Sequence, residues 1–215
     1  MINILAHRGF WKTPAEKNTR LAFERALSLG FGIETDVRDV GGTLYIAHDP
    51  GENPTLTWND FLALYARYDQ AGTLAINIKA DGLTAMIQEE LNQYPQITAF
   101  VFDMSVPDAL HYLKAGVTAF TRHSEYEPVP SFYPQAAGVW MDIFESNWIG
   151  SADIESHLSH NKCVALVSPE LHRRNHIDFW RMLKEEGFSG KESMLLCTDF
   201  PDQAKSFFYE KSKNH

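Results

Sequence analysis

The chain is 215 residues long, with 44% hydrophobic residues, 22% charged residues and a net charge of −9; this globular usage excludes disordered, collagen-like and coiled-coil chains and points to a single domain over residues 1–215. The acidic balance works against nucleic acid and anionic membrane as partners, and no apolar run approaches the ~18 residues of a membrane-spanning helix, so stable membrane insertion is not expected. Two cysteines, Cys163 and Cys197, lie in apolar runs without Cys-x-x-Cys or Cys/His zinc spacing and read as inert buried thiols of a reduced, cytoplasmic protein.

Short apolar runs recur along the chain, each bounded by turn or helix signals. They span residues 2–6, 31–37, 43–47, 74–78, 99–102, 117–120, 138–141, 163–167 and 194–197. Several are apolar nearly throughout, as strands buried on both faces are. Helical patterns alternate with them. Asn18 is placed to cap a helix carrying Ala22, Phe23, Ala26 and Leu27 that stops at Gly30. Thr57 and Asp60 form a Thr-x-x-Asp start before Phe61, Leu62 and Tyr65. Ile87, Leu91 and Tyr94 follow helical spacing; Leu110 and Leu113 run up to Gly116; Ile177, Trp180 and Leu183 run up to Gly187; Ala204, Phe207 and Phe208 close the series. The segment 127–134 carries three prolines and is expected to stand in place of a full helix.

This alternation argues for an α/β fold with parallel strands. Taking residues 43–47 as an excursion off the second strand leaves eight strands, the number of a TIM-like (β/α)₈ barrel, here a short version with lean loops. In such a barrel the C-terminal strand ends meet at one face. Polar residues stand at those ends: His7-Arg8-Gly9, Glu34-Thr35-Asp36, His48-Asp49, Asn77-Ile78-Lys79, Asp103 and Thr198-Asp199. Glu34 and Asp36 are two apart on one strand and point the same way, a pair suited to a hard divalent ion. His7 and His48 titrate near neutral pH and are candidates for proton transfer. Arg8 and Lys79 add cations suited to phosphate, and Gly9 would let backbone approach a ligand. Trp140 and Trp148 are candidates for a stacking wall against an alcohol or sugar. Asp199 reads as the cap of the last helix, with Pro201 in its first turn.

Taken in order, the stretches Ala6-His7-Arg8-Gly9, Asn18-Thr19-Arg20-Leu21-Ala22-Phe23, Ile33-Glu34-Thr35-Asp36-Val37, His48-Asp49, Ile76-Asn77-Ile78-Lys79 and Cys197-Thr198-Asp199-Phe200-Pro201 resemble the glycerophosphodiester phosphodiesterase family. The resemblance runs from residue 6 to residue 201. It implies a TIM-like barrel and metal-dependent hydrolysis of a small-molecule phosphodiester. His7 and His48 would be the acid/base pair, Arg8, Lys79 and Trp140 substrate-binding residues, and Glu34, Asp36 and Asn77 ligands of one Mg²⁺ or Ca²⁺. Asn77 stands where the family usually has Glu, Lys17 stands where it prefers Glu, and the stretch between His48 and Asn77 is short for the family's insertion. Two other activities stay open: a barrel that binds a phosphorylated ligand without turnover, and a phospholipase-like lyase that releases a cyclic phosphate.

Overall fold

Nine strands and seven α-helices are arranged in a computed structural model that describes residues 1–51 and 53–209. The strands are β1 (Asn3–His7), β2 (Gly32–Val40), β3 (Thr43–Ile46), β4 (Leu74–Ile78), β5 (Ala99–Phe102), β6 (Phe120–His123), β7 (Gly138–Met141), β8 (Cys163–Val167) and β9 (Met194–Thr198). The helices are α1 (Arg20–Ser28), α2 (Trp58–Tyr65), α3 (Thr84–Leu91), α4 (Val106–Lys114), α5 (Ser151–Ser159), α6 (Ile177–Glu185) and α7 (Pro201–Tyr209). Eight strands run parallel in the order β5-β4-β2-β1-β9-β8-β7-β6. The two ends of that order meet at one bridge, Val101 to Ala119, where the Val101 amide donates to the Thr118 carbonyl at 2.9 Å. The result is a nearly closed (β/α)₈ barrel, as the alternation implied.

The expected excursion is present. Strand β3 pairs antiparallel with the end of β2, from Val37–Ile46 to Val40–Thr43. Gly41 and Gly42, both at positive φ (59° and 81°), make the two-residue turn between them, the conformation that a tight hairpin requires. Helices start where the sequence allows a cap. The Thr57 hydroxyl accepts from the Asp60 amide and donates to the Asp60 carboxylate. The Ser105 hydroxyl caps α4 by accepting from the Asp108 amide, and donates to the Asp81 carboxylate. Between β6 and β7 the proline-containing segment carries no helix.

One local expectation is corrected, and one helix lies where the sequence reading marks none. The sixth strand lies at Phe120–His123 rather than at 117–120. Thr121, Arg122 and His123 pair in register with Val139, Trp140 and Met141, so β6 is held by its partner and not by its own apolar character. Helix α5 was not marked by periodicity, because only Ile154 and His157 of its nine residues are buried.

Register defines the inner face. Residues paired in parallel strands point to the same side. One set joins His7, Glu34, Ala75 and Phe100; a second joins Asp36, Asn77 and Phe102. Phe120 with Gly138, and Arg122 with Trp140 and Ala165, continue it. Phe102 stacks on Trp140 at 3.9 Å between ring centroids although β5 and β7 are not neighbours, so these rings meet inside the barrel. Gly138 makes room for Phe120: a Cβ there would lie 2.4 Å from the phenyl ring and 2.7 Å from the Cys163 carbonyl oxygen.

Candidate active site at the barrel mouth

Strand β1 ends in His7, and the chain turns sharply after it. Arg8 takes a positive φ of 57°, with its amide donating to the Glu34 carbonyl at 2.8 Å. A non-glycine residue in that region is strained, and here the strain accompanies a side chain aimed back at β2. Gly9 follows, but its space is used for packing: a Cβ would sit 2.9 Å from the Cβ of Ala22 in α1.

His7 Nδ1 lies 2.6 Å from Asp199 Oδ1. The carboxylate can only accept, so Nδ1–H donates and Nε2 is the nitrogen turned to the site. That nitrogen is 3.9 Å from Glu34 Oε2. Lys17 Nζ stands 3.9 Å from the other oxygen of Asp199. Asp199 therefore does something other than cap α7. The Phe200 amide at the start of that helix bonds to the Thr198 hydroxyl instead, and the Asp199 amide donates to buried Glu170.

Asn18 is also diverted from the capping role expected of it. The helix is capped by its neighbour Thr19, whose hydroxyl accepts from the Ala22 amide. Asn18, at φ 58°, instead donates through Nδ2 to Asp36 Oδ2 at 2.9 Å and accepts from the Thr35 hydroxyl at 2.9 Å. Asn tolerates that left-handed backbone better than most residues.

Asp36 is fully buried and gathers cations. Arg8 Nε is 2.9 Å from Oδ2 and Lys79 Nζ is 3.3 Å from Oδ1. Burial works against its ionisation, but the Arg8 and Lys79 charges and the Asn18 amide outweigh it and hold the carboxyl below the usual range. Glu34 goes the other way. Burial, reinforced by repulsion from Asp36, pushes its carboxyl up to about 7. Asn77 reaches Glu34 Oε1 through its amide nitrogen at 3.4 Å.

His48 follows the β3 excursion. The Ala47 amide donates to the Asp36 carbonyl at 3.1 Å, which brings the His48 charge to bear on Asp36. Its Nδ1 is 2.8 Å from Asp49 Oδ1, so both candidate imidazoles have Nδ1 engaged by a carboxylate.

The oxygen donors fit a hard divalent ion. Glu34 Oε2, Asp36 Oδ1 and Asn77 Oδ1 are buried and accept no hydrogen bond, and all three side chains leave the inner face of β2 or β4. Buried polar atoms are rarely left this way without a partner to come, and an all-oxygen set suits Mg²⁺ or Ca²⁺. Among the described residues no group of three or more His, Cys, Asp and Glu side chains is placed to hold a metal, so such a set depends on the Asn77 carbonyl oxygen.

The structure thus brings together His7, Arg8, Glu34, Asp36, Asn77 and Lys79, with His48 beside Asp36. Trp140 does not join them. Trp140 is 4% exposed and its ring is stacked inside the barrel on Phe102, the register partner of Asn77, because its position in β7 points inward. Trp148 donates its indole N–H to the Asp142 carbonyl and packs on His123. Asn18 and Asp199 are the site residues missed. A short polar side chain before a helix reads as a cap, and only the position of β2 or β1 shows otherwise.

No protein-family model and no curated protein sequence matches the chain. Solved structures do. A glycerophosphodiester phosphodiesterase from Agrobacterium tumefaciens superposes with a TM-score of 0.71 at 16% identity, over 98% of this chain and 100% of that one. A phosphodiesterase from Oleispira antarctica, in complex with the product sn-glycerol-3-phosphate, gives 0.70 at 15% identity over 97% of each chain. A Ca²⁺-dependent phosphatidylinositol-specific phospholipase C from Streptomyces antibioticus gives 0.63 at 11% identity over 96% of each. The fold is the one these phosphodiesterases share.

Proposed function

We propose that the chain is a phosphoric diester hydrolase of the glycerophosphodiester phosphodiesterase family, a single barrel domain that splits a small phosphodiester into an alcohol and a phosphomonoester. The observation that carries this reading is the convergence, at one barrel end, of two carboxylate-oriented imidazoles, two cations and three buried oxygens that accept no hydrogen bond. The likeness of the whole chain to phosphodiesterases, one of them holding a glycerol phosphate, supports it.

Arg8 and Lys79 bind the phosphate in this reading, Arg8 through its planar guanidinium and Lys79 as a point charge. Both sit ready beside Asp36, so charge stabilisation is organised before the substrate arrives. Glu34, Asp36 and Asn77 would hold a Mg²⁺ or Ca²⁺, which supplies Lewis-acid neutralisation of nonbridging phosphate charge. His7 and His48 serve as the proton-transfer pair, one taking a proton from the attacking water, or from the substrate's neighbouring hydroxyl on a route whose cyclic phosphate water then opens to the monoester, and the other giving one to the departing alkoxide. Asp199 fixes the orientation of the His7 ring by accepting from Nδ1, which turns Nε2 to the site.

Phosphorus NMR of glycerophosphocholine, glycerophosphoethanolamine and a phosphodiester-linked glycan, with Mg²⁺ or Ca²⁺ added, tests the proposal. Phosphomonoester product is expected. A cyclic phosphate as the end product would make the chain a lyase, and unchanged diesters across the panel would make it a binder.

A further inference from the structure

On the outer wall of the barrel, helices α3 and α4 leave a groove of about 700 Å³ between them, and none of its lining residues belongs to the site at the mouth. The groove is polar along its length. Asp81, from the loop after β4, and Asp108, in the first turn of α4, stand at one end; His111 and Lys114, in the last turn of α4, stand at the other.

Part of this pattern is local. Acids at the start of a helix and bases at its end suit its dipole. Asp81 accepts from the Ser105 amide and hydroxyl, and Asp108 Oδ1 accepts from the Gly82 amide at 3.0 Å. The two carboxylates thereby staple the loops that lead into α3 and α4. Asp108 Oδ2 has no such use. The residue is 4% exposed and this oxygen accepts no hydrogen bond. Among the described residues no side-chain cation pairs with Asp81 or Asp108, and exposed His111 and Lys114 pair with no carboxylate. Tyr112, whose phenol is kept neutral by burial and by the Asp108 charge, brings no countercharge. A buried carboxylate oxygen in this state is costly, and a charged donor offsets that cost best.

The donor is an organic cation and not a metal ion. Among the described residues no three His, Cys, Asp and Glu side chains are grouped for a metal, and the space is that of a small organic ligand. An ammonium has three donors to share between Asp108 Oδ2 and Asp81. A carboxylate at the other end would meet Lys114 and His111. Asp108 and Lys114 lie on one helix, about 9 Å apart along its axis.

We propose that the α3–α4 groove is a second ligand site, separate from the phosphodiester site, that takes a small zwitterion with a terminal ammonium at Asp108 and Asp81 and a terminal carboxylate at Lys114 and His111. The inference stands apart from the hydrolase reading, and its test does not use turnover.

Amide NMR of the ¹⁵N-labelled full chain, titrated with ε-aminocaproate, provides that test. Saturable shifts are expected at residues 81–88 and 107–115, which line the groove. Caproate, which lacks the ammonium, and hexylamine, which lacks the carboxylate, should each bind about tenfold or more weakly, the loss of one charge-assisted pair. Ala85→Trp fills the groove from an exposed position on α3 and should weaken the zwitterion by a similar factor with thermal unfolding close to wild type. Lys114→Glu should remove the preference for the zwitterion over hexylamine. Both variants change exposed side chains, and the three wild-type titrations decide the matter even where a variant fails to fold. Absence of saturable shifts in the groove, equal binding of all three probes, shifts at the mouth in place of the groove, or a folded Ala85→Trp that binds as the wild type does would each overturn the inference.

Discussion

The inside of the barrel has two unlike halves. On β1, β2 and β4 the inward positions near the mouth carry His7, Glu34, Asp36 and Asn77. On β5, β6 and β7 the inward positions carry Phe100, Phe102, Phe120 and Trp140, joined by stacked pairs at 3.8 and 3.9 Å. The aromatic half is not uncharged above its rings. Arg122 is held by Asp103 at 2.7 Å and by Glu127, and Asp142 accepts from His172 Nε2 at 2.8 Å. Burial raises the Asp103 carboxyl despite Arg122 beside it. None of these five side chains has a buried polar atom that lacks a hydrogen bond, whereas Glu34, Asp36 and Asn77 each have one. Charged residues are present on both sides of the mouth. What separates them is satisfaction: one half is closed on itself, and the other is open, with oxygens that accept no hydrogen bond.

The largest effect should come from the open half. His7→Ala and His48→Ala are each expected to lower kcat about 10²–10⁴-fold, the usual loss for a general acid or base, with thermal unfolding close to wild type. Turnover unchanged in both variants would remove the contrast between the halves as far as chemistry goes. The closed half should answer in stability. Gly138→Ala forces a Cβ into the Phe120 ring and is expected to cost about 1–3 kcal/mol, as overpacked cores do. A urea midpoint at the wild-type value, with unchanged slope, would show that the aromatic half is loosely packed.

An effect of similar size to that of Gly138, confined to low pH, concerns His157, outside the barrel on α5. It lies 2.9 Å from His123 Nδ1 and 2.9 Å from the Tyr133 hydroxyl. Burial, aided by the nearby His123, pushes its imidazole down to about 4. The folded chain then binds fewer protons than the unfolded chain between about pH 4 and the ordinary histidine range, so this contribution is complete above pH 6.5 and is lost as pH falls toward 4. Between pH 7 and pH 4 the loss is expected to be on the order of 2 kcal/mol larger in the wild type than in His157→Gln. Parallel pH dependences in urea unfolding would place the sensitivity elsewhere.

Much of the scaffold is legible in the sequence, for a physical reason. A strand covered on both faces must be apolar almost throughout, as Leu74–Ile78 and Cys163–Val167 are, and a hairpin excursion needs a turn such as Gly41-Gly42. The charged residues after those strands are legible too, because they fall where the apolar pattern stops. The β6 position is not, since Thr121, Arg122 and His123 are strand residues only by virtue of β7. Helix α5 is not, since its buried face is two residues wide. Asp199 and Asn18 show the sharper limit. Each has the composition of a helix start, and each is spent on a partner distant in the chain, Asp199 on His7 and Asn18 on Asp36.

Local pattern alone therefore determined the strand and helix succession, the excursion after the second strand, and the set of ionisable groups available at one barrel end, because burial and turn geometry act on neighbouring residues. The assignment of those groups to one another was decided only by tertiary structure. Which carboxylate orients which imidazole, which oxygens stay unpaired, and which tryptophan is sealed into the interior depend on distances between strands far apart in the chain, and no spacing along it encodes them.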